Sequence, residues 1–281
     1  MPARPTGICK LTGEAGPFMK AHIIPEALTR HEVPGQPIFQ AGEGTRPSKR
    51  KTSWYDPNIV TAKGESILSK YDNFGIELLR RRKLVWSGWT GKHLKLRDHV
   101  AITAEWGVRI IDNEDWDRFR LFLLSILWRA AISERQEFQE IIIPKADMED
   151  LKEALISEVP PLTRLYPASL IQLSTKGPRH NQSPIAVTKT TPPVGPKLAQ
   201  NHRFFRFFVE GLIVHFEINM TSAAASGLGK MAVGADAELA VLTRPYEGSF
   251  QAENLGQTML DTWIAWPQMR PHILRSMHHS R

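Results

Sequence analysis

Two segments of this chain hold side chains that could do hydrolytic chemistry. The first, CKLTGEAGPFMKAHIIPEALTR at 9–30, puts His22 ahead of an Ile-Ile-Pro run. The second, WYDPNIVTAKGESILSKYDNFGIELL at 54–79, carries Asp56, Glu65 and Asp72. An imidazole titrates near neutral pH, so His22 could prepare a water as a general base. Carboxylate oxygens suit hard divalent cations, so Asp56, Glu65 or Asp72 could hold Mg2+ or Mn2+. Base and cation together activate water and stabilise charge growing on a phosphate. Ala21 stands next to His22, so no strong ligand pair is visible there. The plainer alternative for His22 is a strand-end histidine bonded to backbone.

These residues need elements to hold them. Residues 1–35 read as short strands and turns, punctuated by PTG, TGEAGP and VPG. Residues 36–56 read as an exposed polar loop with the basic run RPSKRK at 46–51. From Glu65 onward, Ile67, Leu68, Tyr71, Phe74, Leu78 and Leu79 recur at helical spacing. Arg80, Arg81, Arg82 and Lys83 close that helix, where cations suit the negative end of the helix dipole.

On these residues, the region 5–80 resembles the HNH endonuclease family, in the branch whose nuclease hairpin is flanked by a zinc-ribbon-like pair of Cys-x-x-Cys turns. The resemblance implies a β-hairpin followed by a helix and one catalytic divalent metal. It implies His22 as general base and Asn58 as the central asparagine. It implies Glu65 or Asp72 near the final metal position. It also implies zinc cysteines at four places, of which Cys9 is present while Thr12, Thr61 and Gly64 stand at the others. Structural zinc takes a closed set of four Cys or His ligands, so none is expected. Packing by Phe18, Ile23, Ile24, Val60, Ile67 and Leu68 must replace the folding energy of that metal. A bacterial or phage protein concerned with nucleic acid, in defence or mobile-element biology, is what the resemblance implies.

Charge points the same way. Residues 1–100 hold 17 Lys/Arg against 9 Asp/Glu, a balance of +8, while residues 101–281 hold 19 against 20. A basic N-terminal third favours a polyanion partner, DNA or RNA first among them. Arg46, Lys49, Arg50 and Lys51 are candidate phosphate contacts, as are Arg80, Arg81, Arg82 and Lys83. Lys92, Lys95 and Arg97 extend the set around Trp86 and Trp89, which could stack bases or simply pack. The single cysteine rules out an intrachain disulfide. No apolar leader or 18-residue apolar run is present, so a cytoplasmic protein without membrane contact is expected. Nucleotide-loop, zinc-protease and serine-elbow motifs are absent.

The remainder reads as a second unit. A helix beginning near Asp115, WDRFRLFLLSILWRAAI, is apolar on nearly every face and therefore buried. Phe119, Phe122, Leu123, Ile126, Leu127 and Ala130 are its expected core, and Arg129 within it needs a carboxylate or carbonyl partner. Residues 147–158 form another helix. Segments 169–175, 185–190 and 204–218 read as strands, with a turn or bulge at Glu210-Gly211. Residues 221–237 read as a loop and 256–265 as a short helix. The fold class is α+β: a degenerate HNH-like strand–helix module at 1–90, then a mixed domain at 91–281 with a buried helix and an antiparallel sheet. The expected function is a nucleic-acid-associated binding or scaffold protein needing no cofactor. One alternative is a Mg2+- or Mn2+-dependent nuclease. Another is a protein–protein or self-association module using the C-terminal aromatic surface with Trp263 and Trp266.

Overall fold

The computed structural model describes residues 5–31, 35–42, 45–51, 53–89, 94–191, 200–271 and 273–274. The chain opens with a tight hairpin of β1 (Thr6–Ile8) and β2 (Ala15–Pro17). Its turn closes through Gly13, whose N–H donates to the Cys9 carbonyl at 2.8 Å and whose φ of 75° suits glycine. Next come β3 (Ala21–His22), β4 (Ile38–Gly42), β5 (Thr45–Arg50) and β6 (Tyr55–Asp56). The strand β6 pairs antiparallel with β3 and leads into α1 (Ala62–Arg81). The expected helix is therefore present, begun by the extended Thr61 and closed by Arg80 and Arg81 in its last turn.

After a segment carrying Trp86 and Trp89 come β7 (Val100–Ala101), β8 (Gly107–Ile111), α2 (Trp116–Ile132) and α3 (Lys145–Ser157). Asp115 caps α2 by accepting from the Arg118 N–H at 2.9 Å. The chain continues through β9 (Ala168–Leu173), β10 (His180–Gln182), β11 (Ile185–Thr191), β12 (Gln200–Val209) and β13 (Leu212–Glu217). It ends with α4 (Ser222–Gly227), β14 (Leu239–Arg244) and α5 (Phe250–Ala265). Among the described residues a seven-stranded sheet runs β11-β12-β13-β9-β14-β8-β7, and a smaller one runs β10-β4-β5.

The class is α+β, with four differences from the sequence expectation. The large sheet is mixed rather than antiparallel, because β14 returns parallel to β9 after the 218–238 excursion. Residues 36–56 are not a loop: β4 and β5 form a hairpin, and β4 pairs in parallel with β10. The cations at 46–51 concealed the apolar strand before them, whose Phe39 and Ala41 pack on Leu255 of α5. The loop expected at 221–237 contains α4, capped by the Thr221 hydroxyl. The last helix starts at Phe250, earlier than expected, because Ser249 caps it and Gly256 does not break it.

One apolar core joins both halves of the chain. Leu11, Ile23, Ile24, Val60 and Leu68 from the first 90 residues share it with α2, β9, β12 and β13. All six expected core residues of α2 are buried. Helix α1 lies close on α2 at Gly75, where an added Cβ would sit 2.2 Å from the Phe122 ring. The composition change near residue 90 therefore marks no gap in the packing. Among the described residues no helix is long and apolar enough to cross a membrane.

Candidate functional site

The short β3/β6 pair and α1 converge on His22. Register sets Ala21 opposite Asp56 and His22 opposite Tyr55. The His22 ring meets the Tyr55 ring edge-on with centroids 6.2 Å apart, and its Nε2 lies 3.9 Å from a Glu26 carboxylate oxygen. Burial pushes the His22 pKa below its ordinary value; Glu26 and Asp72 oppose this, while Lys20 and Arg129 add to it. The imidazole is thus neutral at neutral pH, the state a general base needs.

The carboxylates around it are largely engaged. Asp72 takes two bonds from the Arg129 guanidinium, at 2.9 and 2.6 Å, and Arg129 also donates to the His22 carbonyl at 2.9 Å. Arg129 is 2% exposed and stands on α2, so this clamp ties β3, α1 and α2 together. It meets the requirement that a buried guanidinium be paired. Asp56, also buried, accepts from the Asn58 N–H at 2.9 Å and the Ser133 hydroxyl at 3.0 Å, one bond on each oxygen. Asn58 itself is exposed in the turn after β6. Glu65, half-buried in the first turn of α1, has its pKa raised by burial, lowered by Arg129 and raised by Asp72. His22, Glu65, Asp72 and Arg129 therefore share one electrostatic neighbourhood. Among the described residues no group of three or more His, Cys, Asp or Glu side chains is arranged to hold a metal ion.

The four positions 9, 12, 61 and 64 do meet. The Cys9 thiol is 1% exposed and accepts from the Thr12 N–H at 3.4 Å. Burial alone would raise the Cys9 pKa, but donors from Thr12 and Thr61 outweigh it and the net shift is downward. A Cβ built on Gly64 would lie 2.7 Å from the Cys9 sulfur. The sulfur thus touches the other three positions through hydrogen bonds and packing.

The candidate phosphate contacts divide into two groups. Arg80 donates to Ser87 at 3.2 Å and to the Ala27 carbonyl at 2.8 Å. Arg81 pairs with Glu77 and Glu114, each at 2.7 Å, and Arg82 pairs with Glu114 and the Asp112 carbonyl. Lys83 is exposed with φ of 55°, and its carbonyl accepts from Trp89 and Gln172. The 80–82 guanidiniums are thus directed at internal acceptors. By contrast Arg50, Lys51, Lys95 and Arg97 are exposed and Lys49 is half-exposed. Lys92 and the side chain of Arg46 lie outside the described residues. Trp86 and Trp89 are buried, Trp86 edge-on to Phe208 and Tyr246, so they pack.

Two buried polar groupings had no visible sign in the sequence, since their members are far apart along it. Glu210, at the turn between β12 and β13, pairs with Arg179 and accepts from the Ser87 hydroxyl at 2.7 Å. His180, stacked 4.9 Å from Phe208, lies 2.8 Å from the Pro178 carbonyl and 2.7 Å from the Gln251 amide. At the C-terminal surface Trp263 and Trp266 are half-buried, and Arg270 stacks on Trp263. Comparison with protein-family models, curated proteins and solved structures finds no significant match to this chain.

Proposed function

We propose that this is a nucleic-acid-associated binding or scaffold protein built on a degenerate HNH-like module that does not cleave. The observation that carries the reading is the meeting of Cys9, Thr12, Thr61 and Gly64 around one buried sulfur, beside a short strand pair that leads into α1. Four positions with the spacing of two zinc turns converge, and hydrogen bonds and packing hold the one sulfur among them. A catalytic cation would need free oxygens near His22. Asp72 is instead neutralised by Arg129, and Asp56 has both oxygens bonded. Glu65 alone would be a weak ligand set for Mg2+ or Mn2+. The exposed cations Arg50, Lys51, Lys95 and Arg97, with Lys49, supply the polyanion contact.

The test is direct. Labelled DNA and RNA are titrated with the full chain at several salt concentrations, with and without Mg2+ or Mn2+. Binding that weakens with salt and leaves the polymer intact is expected. Cation-dependent cleavage that disappears in His22→Ala would overturn the non-catalytic reading in favour of the nuclease alternative. The neutral His22, which shares Arg129 and Asp72 as neighbours with Glu65, is what favours that alternative.

A further inference from the structure

The N-terminal cations are not the most uniformly basic part of the chain. Residues 159–209 contain seven Lys/Arg and no Asp or Glu. That stretch includes β11 and β12, which pair antiparallel with Thr188 opposite Arg203, Lys189 opposite His202, and Thr190 opposite Asn201. All six of these residues are exposed. The strand β13 pairs with β12 only from Phe204 inward, and β11 is the edge of the sheet. From His202 outward the two strands therefore run as a ribbon with no third strand beside them among the described residues.

We propose that this ribbon enters the major groove of double-stranded DNA. The claim rests on the nucleic-acid reading above and names the surface and the polymer. Strands in a pair lie about 4.8 Å apart, and a major groove about 12 Å wide admits a two-stranded ribbon with its side chains. The deep, narrow major groove of A-form RNA does not admit side chains. Lys189 and Arg203 point to opposite faces of the ribbon, because their strand partners are adjacent pairs in the register. Each can thus reach a different phosphate wall of the groove. The Thr190 hydroxyl donates to the Asn201 side-chain oxygen at 2.7 Å, which ties these two exposed side chains across the ribbon. An amide of that kind can read an adenine edge. Two carboxylates stand at the root of the arm: Glu217 opposite Phe204, and Glu140 bonded to the Ala186 N–H at 2.8 Å.

The experiment compares the full-length protein with Lys189→Glu/Arg203→Glu and with Lys189→Gln/Arg203→Gln, using Lys145→Glu on α3 as a surface control. A B-form DNA duplex and an A-form RNA duplex of matched length are titrated across a salt series. The expected result is preference for DNA and a loss of affinity of about tenfold or more in both ribbon variants. The salt slope should fall by roughly two in those variants, one per phosphate contact removed. Binding by the unaltered protein with no change in the ribbon variants would overturn the ribbon and leave the nucleic-acid reading standing. Equal binding of the RNA duplex would overturn groove entry. No binding of either duplex, or of single strands, would sink both ideas.

Discussion

At the scale of single residues, the decisive group is Arg129. Its position in a greasy helix called for a partner, and Asp72 supplies one with bidentate geometry. That pairing engages both Asp72 oxygens in holding α1 to α2. Removing one partner of a buried pair leaves the other charge uncompensated, which costs about 3–5 kcal/mol. Asp72→Ala should therefore lose roughly 3 kcal/mol in urea denaturation, with His22 displaced as its carbonyl partner shifts. A loss below about 1 kcal/mol, the usual ceiling for exposed pairs, would show that the clamp is not the anchor of this site.

At the scale of elements, the turn between β1 and β2 and the start of α1 meet around the Cys9 sulfur. A tetrahedral site needs four thiolates about 2.3 Å from one centre, and positions 12, 61 and 64 each come close to the Cys9 sulfur. If the four positions converge as they do around Cys9, the variant Thr12→Cys/Thr61→Cys/Gly64→Cys should offer four thiolates to one Zn2+. The Cys9 side chain must rotate to admit the new Cβ at Gly64, which would otherwise lie 2.7 Å from its sulfur. The expected outcome is one equivalent of Zn2+ per chain, tetrahedral thiolate absorption with Co2+ and a higher Tm. A folded triple variant that takes up no metal would count against the shared centre.

At the scale of the whole molecule, one core spans both halves, and the buried His180 on β10 stacks on Phe208 of β12 to join the smaller sheet to the larger. His180 is pushed down to about 4 by burial, with its Pro178 contact opposing. His215 is pushed down to about 3 by burial first, then by Arg206 and Lys189. The unfolded chain protonates these rings below about pH 6.5, while the folded protein keeps them neutral. Their contribution to stability is therefore present above pH 6.5 and is lost as pH falls from there toward 4. For His180 the loss approaches the order of 3 kcal/mol by pH 4. Glu65 and Glu217, raised by burial, act in the opposite sense as pH rises through their range. Urea melts from pH 7.5 to 4.5 should show the fall, and His180→Gln should flatten it. An unchanged slope in that variant would place the acid sensitivity elsewhere.

The sequence by itself determined α1, α2 and α3, whose apolar spacing needs no distant partner to be read. It also marked a turn or bulge at Glu210-Gly211 and required that Arg129 be paired. Local period and chain length settle such matters. The tertiary structure alone decided which carboxylate Arg129 would take, that Glu114 would draw in Arg81 and Arg82, and that β4 would be buried beneath α5. It also decided that β14 would run parallel to β9 and that the β11/β12 arm would extend past its neighbour. Each of these depends on groups brought together from distant parts of the chain. A charge run has the same appearance in sequence whether its partner is solvent, a phosphate or a glutamate thirty residues away.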